Sequence, residues 1–333
     1  PANRWRDMGE VADLLLEQYR IHVGRPFPLP RPEIPVDNQP ESIITERSTS
    51  TGADWLEPIE LYQTALTLAG KTHLFDENNI PPLTQTTQRA RALRDIEIYD
   101  MAETIYREMI EAGDIRDQVR MNLGEILFNR ALATETCQVM AHSARLFEEA
   151  FNILDGLEME YARGLRPRCK MNGSGCLYFA GDPVRAHQWF DEAIEGFRSL
   201  VATLYHNRWV RNLAICLMNK ASILTYEDKP LEALKHLNEA LGVCEELIQK
   251  NNISPNWSLL ASIQTNIGMT YYKLKQDDPA MDAINQAIDI FQIDLERTRS
   301  YEAALNLGYN NYFKVKILLR RHKPVEAETL LLD

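Results

Sequence analysis

The stretch Asn266–Ala287 reads NIGMTYYKLKQDDPAMDAINQA. Asn266, Ile267, Gly268 and Tyr271 fall on a helical rhythm, and a polar break follows at Gln276, Asp277, Asp278 and Pro279. A second helical rhythm then carries Ala280, Ile284 and Ala287. Apolar residues three and four apart share one face of a helix. Small residues at Gly268, Ala280 and Ala287 allow two antiparallel helices to approach closely, with Tyr271 and Ile284 filling the space between them.

The second half of this pattern recurs. Alanines at 186, 233, 280 and 327 are spaced 47 apart, and a large apolar residue follows four later at Phe190, Leu237, Ile284 and Leu331. In the three units that continue far enough, Ala193, Ala240 and Ala287 come next. Self-similarity at a fixed period marks a repeat array. The small-large-small pairing resembles the tetratricopeptide repeat (TPR), whose signature joins L-G-x2-Y on one helix to A-x3-F on the next. The period exceeds the usual TPR length of about 34, which implies longer helices. The resemblance implies an all-α, right-handed superhelical solenoid of antiparallel helix pairs. An armadillo- or HEAT-like solenoid, with repeats of about 40–47 residues, is the alternative.

Composition suits such an array. The chain has 333 residues, 45% hydrophobic and 25% charged, with a net charge of −12. An acidic chain disfavours a nucleic-acid partner. With no run of about 20 apolar residues, no membrane-spanning helix is expected. Five cysteines (137, 169, 176, 216 and 244) include no CxxC and read as buried reduced thiols of a cytoplasmic protein. The seven histidines lack metal-ligand spacing, and no GxSxG, HExxH or P-loop pattern occurs. Neither a catalytic site, a metal nor a cofactor is expected.

Three regions follow. Residues 1–53 read as an amphipathic helix near 4–22, a proline-rich connector RPFPLPRPEIP at 25–35, and a polar linker. Residues 54–113 carry two helices, near 55–70 and 84–112, whose Ala102, Tyr106 and Met109 echo the repeat; they read as a degenerate repeat or cap. Residues 114–333 hold the regular pairs at about 116–133/138–160, 165–180/183–204, 208–226/230–250 and 257–275/279–298, with a truncated pair from about 302. The truncation suggests a piece of a longer array.

In a TPR-like array the first helix of each pair lines the concave surface. Asn172, Asn219 and Asn266 stand 47 apart on those helices, and Asn129 matches them in the first pair, fourteen before Ser143. Asparagine is a poor helix former, so its recurrence asks for a role. One amide offers an acceptor and two donors, enough to pair with the backbone of an extended peptide. The row resembles the asparagine ladder of peptide-binding TPR proteins such as kinesin light chains and bacterial peptide-sensing regulators. That resemblance implies a groove for a protein or peptide segment, with Asn129, Asn172, Asn219 and Asn266 as the ladder. Met171, Phe179, Met218, Tyr226, Met269 and Lys273 would select side chains, as would Tyr312, Lys316 and Arg320 toward a basic end. A second expectation is a regulatory or oligomerisation module of a larger enzyme, such as a protease or ATPase, with an intramolecular partner domain outside this chain.

Overall fold

The computed structural model describes residues 58–76, 80, 88–250, 254–299 and 301–332. The expectations for 1–53, including the proline-rich connector, lie outside them. Among the described residues the chain is all α, with no strand. The first helices are α1 (Pro58–Leu68) and α2 (Gln88–Glu111). The pairs α3/α4 (Asp117–Thr136, Met140–Leu154), α5/α6 (Glu160–Phe179, Pro183–Leu204) and α7/α8 (Asn207–Tyr226, Pro230–Lys250) follow. The pairs α9/α10 (Ser254–Lys273, Asp277–Thr298) and α11/α12 (Tyr301–Arg320, Pro324–Leu332) complete the described chain. Two compact units divide within α7, one running Glu46–Cys216 and the other holding Leu217–Asp333.

Pairing is antiparallel. In the first unit α5 meets α6 through Lys170 with Glu192 and through Pro167 beside Gly196, so rising numbers on one helix meet falling numbers on the other. In the second unit α9 meets α10 in the same sense, through Ser258 with Asp294 and Gln264 with Gln286. Successive first helices instead run parallel: Ser222 bonds Asn266, Thr225 bonds Thr270, and Thr265 bonds Asn310.

The alanine ruler is the core. Ala186, Ala233, Ala280 and Ala327 have no exposed surface, and neither have Ala193, Ala240 and Ala287; Phe190, Leu237 and Ile284 fill the space between them, buried. Ser143, Phe147 and Ala150 hold these places in α4, with the Ser143 hydroxyl donating to the Ala131 carbonyl at 2.8 Å. Ala102 and Tyr106 of α2 are buried in the same way. First helices contribute by lacking bulk. A Cβ on Gly268 would lie 2.7 Å from Ile284 Cγ1 and 3.2 Å from the Ala280 carbonyl oxygen, and one on Gly173 would lie 2.5 Å from the Trp189 ring.

A second ruler appears in the backbone. Gly181, Asp228, Lys275 and His322, again 47 apart, all take left-handed φ (92°, 62°, 60° and 58°), as does Gln138 in the first pair. After each, the next N–H reaches back five residues: Asp182 to Leu177, Lys229 to Leu224, Gln276 to Tyr271, Lys323 to Leu318. This is the Schellman closure, which satisfies carbonyls that a helix end would leave bare. The chain then turns straight into the second helix. The Asp182 carboxylate caps it by accepting from Arg185 N–H, and Pro183 lies at its start, where no N–H is needed.

Two boundaries differ from the sequence reading. Helix α4 stops at Leu154 rather than near 160, because Gly156 turns left-handed (φ 75°). Helix α5 starts at Glu160 rather than near 165, so Pro167 lies inside it rather than in its first turn.

These geometries set opposite signs for two substitutions. Gly268→Ala forces a Cβ against Ile284 and is expected to lower stability by about 1–3 kcal/mol. Lys275→Gly relieves a left-handed side chain and is expected to raise it by about 1 kcal/mol. Shifts of the urea midpoint in opposite directions check both.

Candidate functional site

The first helices expose one stripe each. In α5 it holds Arg168, Asn172, Gly175 and Phe179, at helical spacing; Gly173 and Ser174 turn the other way, into the pair. Asn172 is half-buried, and its amide meets no hydrogen-bonding group among the described residues. In α3, Asn129 is 5% exposed and likewise has no such partner. Arg168 lies 4.7 Å over the Phe128 ring, and the Tyr161 hydroxyl donates to Glu125 at 2.7 Å. Phe179, at the helix end, is exposed and packs edge-on against Tyr178.

In the second unit, taken by itself, α7 carries Asn219, Ser222 and Tyr226 at the same helical spacing. Asn219 is half-buried with no hydrogen-bonding partner among the described residues, and Tyr226 is 47% exposed. Asn266 of α9 behaves otherwise. Its Nδ2 donates to the Ser262 carbonyl at 2.8 Å, and its Oδ1 accepts from the Ser222 hydroxyl at 2.9 Å. Its oxygen joins α9 to α7, while its nitrogen bonds back to the backbone of α9.

Asn310 of α11, absent from the sequence reading, repeats this arrangement: Nδ2 donates to the Asn306 carbonyl at 2.8 Å, and Oδ1 accepts from Thr265 at 2.9 Å. It is 1% exposed. It lies one turn before Phe313, the position the period of 47 selects, so a strict register passes it by.

The remaining predicted residues separate into two groups. Met171, Met218 and Tyr312 are buried, at 5%, 8% and 7% exposure. The first two stand one residue before their asparagines, on the side by which Thr265 bonds the following first helix. Met269 is half-buried, its sulfur 3.3 Å from the Tyr309 hydroxyl.

The basic residues are engaged within the chain. Lys273 donates to the Thr225 carbonyl and lies 3.7 Å from Asp228. Arg320 donates to the Tyr272 carbonyl at 2.8 Å, pairs with Asp277, and stacks its guanidinium 3.7 Å over the Tyr272 ring. Donors and acceptors are each 47 apart. Each cation thus covers the C-terminal turn of the preceding first helix, adding a second donor to a carbonyl that already accepts a turn N–H (Asp228 to Thr225, Lys275 to Tyr272), where the helix dipole favours positive charge. Lys316 sits half-buried over the Tyr272, Tyr312 and Phe313 rings at 5.2, 5.2 and 5.3 Å. Burial pushes its ammonium pKa down, while the ring faces favour the charged form.

All five cysteines are buried thiols. Burial pushes the thiols of Cys169 and Cys176 above the usual range. Among the described residues no group of three or more His, Cys, Asp or Glu could hold a metal ion, and no helix is long and apolar enough to cross a membrane.

No protein-family model matches the chain, and no curated protein matches it in sequence. Solved structures resemble it in fold. The apo form of RapI aligns with a TM-score of 0.53 at 14% identity, over 82% of this chain and 73% of that one. BtubC (BKLC) from P. vanneervenii gives 0.49 at 19% identity over 73% and 86%. The S. pombe nuclear import adaptor Nro1 gives 0.48 at 11% over 86% and 94%. At such identities RapI supports the fold alone. Among the described residues the chain is an all-α helical-repeat protein built of antiparallel helix pairs.

The cation caps carry a direct expectation. Arg320→Ala removes one of the two donors to the Tyr272 carbonyl, which keeps the Lys275 N–H, and leaves Asp277 without its cation, a loss of about 1–3 kcal/mol. Amide hydrogen exchange at the end of α9 should speed accordingly. Arg320→Lys should retain most of the protection, since Lys273 performs the same task one repeat earlier.

Proposed function

We propose that this chain is a long-repeat TPR module that binds an extended protein or peptide segment along its exposed first-helix stripes, without catalytic activity of its own. The observation that carries this reading is the state of Asn172 and Asn219. Each is a half-buried amide at the same place in successive repeats, with no hydrogen-bonding partner among the described residues. An amide that reaches solvent and has no partner within the chain keeps one acceptor and two donors available to a ligand. An extended backbone offers both at regular intervals. Two turns further along each helix an exposed aromatic follows, Phe179 and Tyr226, supplying apolar contact for alternate side chains of the bound segment. A cytoplasmic protein of this kind keeps its cysteines reduced, in keeping with their burial.

Under this reading the four asparagines divide. Asn172 and Asn219 contact the ligand, Asn129 serves where its narrow exposure admits a partner, and Asn266 serves the stacking of helices. The test is affinity for segments selected by the intact chain from a peptide-display library. Asn172→Ala with Asn219→Ala should weaken binding by about tenfold, from two lost hydrogen bonds of about 0.5–1.5 kcal/mol each, at unchanged thermal stability. Asn266→Ala should do the reverse, lowering stability while leaving intrinsic affinity within about twofold. A double variant that binds every selected segment as the intact chain does would remove the proposal.

A further inference from the structure

On the side of α5 away from Asn172 lies an open cleft of about 460 Å³ between the end of α4, α5 and α6. Arg163, Arg166 and Lys170 form its α5 wall, at positions one and two turns apart, opposite the stripe that carries Arg168, Asn172 and Phe179. Two of these three cations are already matched. Arg166 lies 3.4 Å from Asp155, while Lys170 pairs with Glu192 and lies over the Phe151 ring.

Arg163 and Glu158 are different. Both line the cleft, yet neither forms an ion pair with the other or with any other described residue. A cation and an anion thus share one opening without pairing to each other. Pro167, inside α5, sharpens the arrangement. It has no N–H, so the Arg163 carbonyl one turn earlier lacks its helical donor and remains an acceptor on the same wall. Half-buried Phe151 adds apolar surface on the side that Lys170 does not cover, and Ser199 adds a hydroxyl; Pro167 and Leu200 lie buried beneath.

A cation and an anion not paired with each other, a spare carbonyl and an apolar wall complement one chemical class. We propose that this cleft binds a small zwitterion, a free α-amino acid with an apolar side chain. Its carboxylate is received by the Arg163 guanidinium in a charge-assisted pair. Its ammonium donates to the Glu158 carboxylate and the Arg163 carbonyl. Its side chain lies against Phe151. A volume of this size accommodates such a ligand with room for water.

The experiment is isothermal titration of the full chain with L-leucine and with L-phenylalanine. L-leucinamide, which lacks the carboxylate, and N-acetyl-L-leucine, which lacks the ammonium, are the paired controls. Saturable binding of the free amino acids is expected, weakened about tenfold or more by either blocked analogue and by Arg163→Gln or Glu158→Gln, since each removes one charged hydrogen bond. Neither variant breaks an internal pair, so circular dichroism should match that of the intact chain. Asn172→Ala, with Asn219→Ala, should leave the titration unchanged, which separates this cleft from the peptide face. Absence of saturable binding at millimolar amino acid would overturn the proposal, as would equal binding of the blocked analogues or undiminished binding by both variants.

Discussion

Everything in this fold hangs on how closely two helices of a pair approach, and that distance is set by missing side-chain bulk. Gly268 leaves the space that Ile284 enters, and Gly173 the space that Trp189 enters. The fully buried alanines of the second helices do the same from the other side. Interiors pack near crystal density, so an extra methyl at such a contact must displace a neighbour. Once the pair distance is fixed, the large residues between the helices have one volume to fill. The left-handed turn that joins the helices has one span to cover. The recurrence of both features at 47 expresses a single constraint met repeatedly.

The asparagines show how one residue type meets two different surroundings at one position. Asn266 has a hydroxyl across from it in Ser222, and its amide becomes a strut between first helices. Asn172 and Asn219 have no such neighbour, and their amides stay available. The difference is made by the adjoining helix rather than by the asparagine itself. Repetition in a sequence therefore reports a shared location, and the surroundings decide its use.

Much of the architecture was legible because helical periodicity and small-residue spacing are local properties. The alanine ruler, the proline-started second helices and the pairing of helices all followed from them. The boundary between α4 and α5 was not. Gly156 and Pro167 both read as ordinary punctuation, yet only the glycine ends a helix, because the interior of α5 tolerates a proline next to Gly196. The asparagine row was legible in the sequence, but the burial and pairing of the residues flanking it were not. Met171 and Met218 lie inside, and Lys273 and Arg320 reach carbonyls of the preceding repeat. Such contacts join residues 48 apart and leave no trace in either local pattern. Asn310 escaped because α11 carries its asparagine one helical turn before the position that the period of 47 selects.

The reach of Lys273 and Arg320 gives the second unit a polarity. Each cation leans backward, so the last turn of α7 is finished by α9, and the last turn of α9 by α11. Neither loan runs forward. A pulling force or a local opening that starts at α11 strips the cover from α9 and makes it the next element to yield. An opening that starts at α7 releases a cation into water and leaves the later helices whole. The array thus unravels more readily from one side than from the other, as a roof of overlapping slates lifts only against the lap.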